Sequence, residues 1–317
     1  RAQIIFEAME SLQSLYAGHN ELRFFTWSNQ RCCLPTGARS ATLVGHHPNL
    51  TPGTILLLEE VIVNLRCRPG GIFVDGTLGG GGHARRILET TAPDGLLIGL
   101  DRDDDALQES EKSLAPFGPR KILRKANYSE LSGILSDLGM TRVDGILLDL
   151  GVSSHQLNAP GRGFSFASDD PLDMRMDRNQ EISAYEFVNH ASEEELQRVI
   201  RKYGEETMAG RIARSIVRER GNEPIRTTSA LAKIVVQALP PACRRSKIHP
   251  ATKTFQAIRI RVNDELNSLV KVIESGIDNL KTGGRFCIIS FHSLEDRIVK
   301  NAFRDWEKTC VCPPDMP

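Results

Sequence analysis

Between Phe73 and Ala84 the chain reads Phe-Val-Asp-Gly-Thr-Leu-Gly-Gly-Gly-Gly-His-Ala. An apolar run closes on an acid, four glycines follow at 79–82, and a helical pattern opens. Glycines in a row suit a backbone that approaches a ligand closely or takes positive φ. Four more short aliphatic runs follow: Leu96–Asp101, Lys121–Arg124, Val143–Leu150 and Arg285–Phe291. Continuous apolar runs, unlike alternating ones, suit strands covered on both faces of a parallel sheet. Helical patterns separate the first four strands, over His83–Thr90, Asp104–Leu114 and Tyr128–Leu138. The alternation predicts an α/β fold, a Rossmann-like doubly wound parallel sheet with right-handed crossovers.

Residues 158–250 break the alternation and read as an inserted all-helical domain. Ser192 with the acids 193–195 opens one helix through Tyr203; Glu205–Arg220 and Ser229–Leu239 are two more, the last stopped by Pro240-Pro241. A long helix is expected from about Thr252 to Leu280, ended by Gly283-Gly284. The expected division is an extension over 1–45, unstructured or non-native; core over 46–157; helical insertion over 158–250; and core again over 251–317, cut short at its C-terminus.

Asp101 lies twenty residues past Gly81, at a strand end, where an acid is placed to bind both hydroxyls of a ribose. The loop therefore suits a nucleoside. In a dinucleotide enzyme it would hold a pyrophosphate; in a methyltransferase the ligand is S-adenosylmethionine, which has none. Asp75 would repel a pyrophosphate and attract the methionine ammonium, so it favours the methyl donor. The fourth strand delivers Asp149 to the same rim. There it either orients an exocyclic amine for methylation or caps the following turn. Arg162, Phe164 and Phe166 form one polar–aromatic string, suited to a base out of its stack or to core packing. Lys253, Arg259 and Arg261, with the Arg211–Arg220 helix, are candidate phosphate contacts or a solvated helix face. His292, in the string leaving the fifth strand, joins them as a substrate-side candidate.

The 40 basic and 40 acidic side chains cancel, so a nucleic-acid partner must be met by a local patch. No apolar run approaches the ~20 residues of a membrane span, and seven scattered cysteines read as reduced thiols of a cytoplasmic protein. Cys310 and Cys312 have no second ligand pair after them, and no metal is expected.

Together these strings resemble the bacterial 16S ribosomal RNA (cytosine-N4)-methyltransferases of the MraW or RsmH type, from about His47 to Lys300. The strings are DGTLGGGGH, LDRD, DGILLDLGVSS with Gln156, RGFSF, DPLDMRMD, YGEE, HPATKTFQAIRI and SFHSLEDRIVK. The resemblance implies S-adenosylmethionine as cofactor and methylation of the N4 of a decoding-region cytidine in small-subunit RNA. It places the cofactor at Gly81, Gly82, His83, Asp101, Tyr128, Asp149 and Gln156, beside Asp75 from the reading above. Tyr128 stands where the family usually has Phe, and His155 where Pro is common. The family's basic terminal segment, which completes its sheet, has no counterpart after the fifth strand, so an open sheet edge is expected. A homodimer is compatible with the sequence. The competing class is a non-catalytic RNA-binding or ribosome-assembly factor that keeps the cofactor fold; the intact Asp75, Asp101 and Asp149 argue against it.

Overall fold

The computed structural model describes residues 22–28, 41–45, 57–241, 243 and 248–308. In chain order its elements are β1 (Leu22–Ser28), β2 (Ala41–Gly45), α1 (Leu58–Leu65), β3 (Ile72–Asp75), α2 (Gly82–Thr90), β4 (Leu96–Asp101), α3 (Asp104–Ser113), β5 (Lys121–Lys125), α4 (Leu131–Asp137) and β6 (Val143–Asp149). There follow α5 (Ser154–Asn158), α6 (Ala184–His190), α7 (Glu193–Gly204), α8 (Ala209–Asn222), α9 (Thr228–Ala238), α10 (Thr252–Asn263), α11 (Glu265–Gly276), β7 (Leu280–Ser290) and α12 (Ser293–Lys308). They form two compact units. The described part of one is 152–241, 243 and 248–265; the other is made of the remaining described residues.

The sheet unit has strand order β2-β1-β7-β6-β3-β4-β5, with β3 to β7 mutually parallel where they pair. Its strands alternate between two cores. Val74, Ile98, Ile146, Leu148, Phe286 and Ile288 pack on one side; Phe73, Leu97, Leu147, Cys287 and Ile289 pack on the other. Both faces are apolar because helices cover both, which is why the sequence shows runs and not alternation. The order reverses between β3 and β6, so the carboxyl ends of those two strands flank the switch point.

The expected bare edge and unstructured extension are corrected here. β1 pairs antiparallel with β7, and β2 with β1. Phe25 is buried against Phe303, ring centroids 6.3 Å apart and edge-on. One seven-residue strand whose partner lies at the other end of the chain leaves no local period to read. The rest of the extension, and the Cys310–Cys312 pair, lie outside the described residues.

Two other boundaries move. The long helix after Thr252 is two helices, broken at Asp264 with φ 51. Just before the break, the buried Asn263 amide donates to Met174 O and accepts from Met176 N, tying the helix end to another segment of its unit. Gly283 and Gly284 lie inside β7 and do not end a helix. The β6–β7 register slips between Val143 and Gly145, and Gly283 takes φ 81 in the irregular stretch.

The helical unit spans 152–265 and packs its own core, among others Phe164, Phe187, Leu196, Ile200, Ile212, Leu231, Phe255 and Ile258. It therefore extends beyond the 158–250 expected for the insertion. Ser192 caps α7, its hydroxyl accepting from Glu195 N, and Arg220 fastens α8 by donating to Val188 O and Ala191 O, both at 2.6 Å.

Candidate functional site

The carboxyl ends of β3, β4 and β6 bring Asp75, Asp101 and Asp149 to one rim of the sheet unit. The chain leaving β3 is laced to the tips of its neighbours. Gly76 N donates to Leu147 O and Leu78 N to Leu100 O. The Thr77 hydroxyl accepts from the Asp149 amide at 2.6 Å, and Thr77 N donates to Asp75 Oδ1 at 3.2 Å. A Cβ on Gly76 would come within 2.5 Å of Leu148 Cδ2 and 3.1 Å of Tyr128 Cβ, so a side chain there would press on both as β3 turns past half-buried Tyr128.

The glycine loop is strapped to α3. The Ser110 hydroxyl donates to Gly79 O (2.7 Å) and that of Ser113 to Gly80 O (3.2 Å). Gly81 sits at φ 81, and a Cβ there would come 2.9 Å from Ser113 Oγ. Gly80 is different: a Cβ would meet nothing within 4 Å. Asp101 braces the loop from below, Oδ2 accepting from Gly79 N and Oδ1 from Asp103 N, both at 2.9 Å. Each oxygen keeps acceptor capacity for a hydroxyl.

His83, in the first turn of α2, completes the rim. It is buried, and its Nε2 lies 3.6 Å from Asp149 Oδ2. Among the described residues, neither ring nitrogen has a hydrogen-bond partner, and neither do Asp75 Oδ2 and Asp149 Oδ1. Burial pushes the Asp75 and Asp101 carboxyls up to about 6. For Asp75, His83 and the Thr77 amide pull the other way, while Asp149 and Asp101 add to the rise. An acid whose folded pKa lies above its unfolded value stabilises the fold when protonated, and that contribution is lost as pH rises through about 6. Asp75→Asn is therefore expected to raise the melting temperature of the ligand-free protein near pH 8 and to leave it unchanged near pH 4, as thermal denaturation at the two pH values will read.

The rim fits a nucleoside that carries positive charge. Two buried carboxylate oxygens, Asp75 Oδ2 and Asp149 Oδ1, await donors, Asp101 is held where a ribose diol can reach it, and the loop is open at Gly80. A pyrophosphate would meet Asp75 across the same loop and be repelled. Gln156 is in the helical unit. There its Oε1 accepts from Ser153 N, closing the capping box of α5.

The substrate-side candidates divide. Arg162 is 1% exposed, donates to Arg175 O and Met176 O, and lies over the Phe164 ring at 5.7 Å. Phe164 is buried in the helical core. Arg259 is buried and bidentate to Glu265, with both bonds 2.9 Å. His292 is buried, its Nε2 3.2 Å from Glu295 Oε1. These four, expected as RNA contacts, are interior groups: carbonyls take the Arg162 guanidinium, the Glu265 carboxylate takes Arg259, packing holds Phe164, and His292 sits beside Glu295 with its Nε2 lacking a hydrogen bond among the described residues. Phe166 is half-buried, its ring 4.5 Å from His249 and 4.9 Å from Phe255. Lys253 remains exposed, its ammonium donating to Glu205 O. Thr77 and Ser110 were missed in the sequence, although Thr77 lies inside the quoted loop, because a hydroxyl's partner is invisible until strand tips are side by side.

A doubly wound sheet with a glycine loop, a ribose-side acid and an acid pair at its switch point defines a Rossmann-like methyltransferase. The chain belongs to the MraW methylase family, which it matches over residues 51–317. It is 62% identical over 262 residues to ribosomal RNA small subunit methyltransferase H of Syntrophus aciditrophicus (strain SB), covering 83% of each chain. It is 57% identical over 259 residues to the protein of the same name from Syntrophotalea carbinolica, covering 82% of each. Among the described residues no helix is long and apolar enough to cross a membrane.

Proposed function

We propose that this methylase transfers the methyl group of S-adenosylmethionine to the exocyclic N4 of a decoding-region cytidine in small-subunit ribosomal RNA, in the cytoplasm. The observation that carries the reading is Asp149. It stands at the switch point with its amide fixed by Thr77 and its Oδ1 buried, with no hydrogen-bond partner among the described residues. The names of the two relatives support the RNA substrate.

When bound, S-adenosylmethionine supplies an electrophilic methyl on a sulfonium, a leaving group that needs no activation. The chain's contribution is placement. Asp149 Oδ1 would accept a hydrogen bond from the amine and hold it for attack, and the proton that the amine loses on methylation would pass to that carboxylate or to solvent. Asp75 would attract the ammonium, Asp101 would take the ribose hydroxyls, and Tyr128 would cover the adenine. Lys253 and the exposed Arg211, Arg214 and Arg218 are left to meet phosphates.

Nucleoside mass spectrometry tests this on small-subunit particles from a strain lacking the enzyme, after incubation with the protein and S-adenosylmethionine. N4-methylcytidine is the expected product. Methyl incorporation at another atom would overturn the N4 assignment, and its absence with a cofactor-binding protein would favour the non-catalytic RNA-binding reading.

A further inference from the structure

His83 is buried with both ring nitrogens lacking hydrogen bonds among the described residues. A neutral imidazole in that position leaves a buried donor and acceptor unmade, which is unfavourable unless a charge interaction compensates. The compensation is visible. Asp149 Oδ2 is 3.6 Å from Nε2, too long for a hydrogen bond but within ion-pair range. The buried Asp75 carboxylate acts on the same ring.

The other charges around the ring are engaged elsewhere. On α2 itself, Arg85 pairs with Glu89, and Arg86 with Glu89 and with Glu59 of α1. On β4, Asp101 is held by the Gly79 and Asp103 amides. His83 is thus the cation beside Asp149 and in the field of Asp75, the two acids of the switch point. Burial disfavours its charged form, yet Asp149 and then Asp75 outweigh burial and hold its pKa above the ordinary imidazole value.

We propose that the His83 side chain is a positioning residue for methyl transfer: an imidazolium beside Asp149 that anchors Asp149 Oδ2, so that Oδ1 faces the amine. The assignment rests on the role given to Asp149 above. It adds a function for the ring itself, beyond the loop's contact with the cofactor. A fixed carboxylate matters because a displacement of about 1 Å from the productive geometry can lower a rate by about 10²-fold.

The sign of the pH dependence follows. The clamp is intact while His83 is protonated and is lost as pH rises through its elevated pKa, so turnover carries an alkaline limb above the ordinary imidazole range. His83→Leu is expected to lower kcat by about 10²-fold and to remove that limb. His83→Gln keeps an N–H donor and is expected to recover part of kcat with no alkaline limb. It also serves if the leucine variant does not fold. Independently of activity, NMR of the His83 ring is expected to show titration above the ordinary imidazole value, moving down in Asp149→Asn.

An alkaline limb that persists in both variants, an unchanged kcat, or a ring titrating at or below the ordinary value would each overturn the proposal. If the wild-type protein methylates no RNA, the function proposed above fails, while the ring titration still reports on the clamp.

Discussion

Asp149→Ala is expected to lower the single-turnover rate of RNA methylation by about 10²–10⁴-fold, the span typical of a positioned acid–base group. Affinity for S-adenosylhomocysteine should fall far less than the rate, since a group acting on the amine lowers kcat without uniform loss of binding. The Asp149 backbone is fixed by the Thr77 hydroxyl whatever the side chain, so removing the carboxylate leaves the strand tip in place. The alternative, that Asp149 caps the turn after β6, requires a turn amide donating to it, and Oδ1 has no partner among the described residues. Asp149→Asn retains an acceptor oxygen and should fall between wild type and alanine. Single-turnover kinetics with saturating particles, alongside equilibrium binding of S-adenosylhomocysteine, separate the cases. Equal losses in rate and affinity would make Asp149 a cofactor ligand only, and an unchanged rate would remove it from the chemistry.

The parallel core was legible because its information is local. β3, β4 and β6 are covered on both faces and read as apolar runs, and the acids closing them, Asp75, Asp101 and Asp149, follow from strand ends. The rim could be listed from sequence for the same reason. What it could not give was the state of His83, which depends on two acids contributed by different strands. Pairings that span the chain were equally hidden. β1 against β7 joins residues near one end to residues near the other, and Asn263 at a helix end holds the segment at Met174 and Met176. Charges misled most. Arg162 and Arg259 look like free cations in a linear text, and only a folded helical unit shows the carbonyls and the carboxylate that occupy them.

Arg259 offers the sharpest test of that correction. Its side chain and that of Glu265 are 5% and 8% exposed, and two parallel bonds of 2.9 Å join them. Removing one partner of a buried pair strands the other charge in the interior, at a cost of about 3–5 kcal/mol. Arg259→Ala is therefore expected to lower the thermal midpoint of the helical signal markedly, whereas Lys253→Ala, at an exposed side chain whose ammonium reaches one carbonyl, should leave it nearly unchanged. Replacing both members, Arg259→Met with Glu265→Leu, should restore much of the loss, because no unpaired charge then remains buried. A phosphate ligand behaves in the opposite way: its loss spares the melting curve, raises KM for ribosomal particles and flattens the salt dependence of binding. Melting curves and salt-dependent binding of the same three variants thus decide between an interior ion pair and an RNA contact, and a stable Arg259→Ala protein with weakened RNA binding would return the guanidinium to the substrate side.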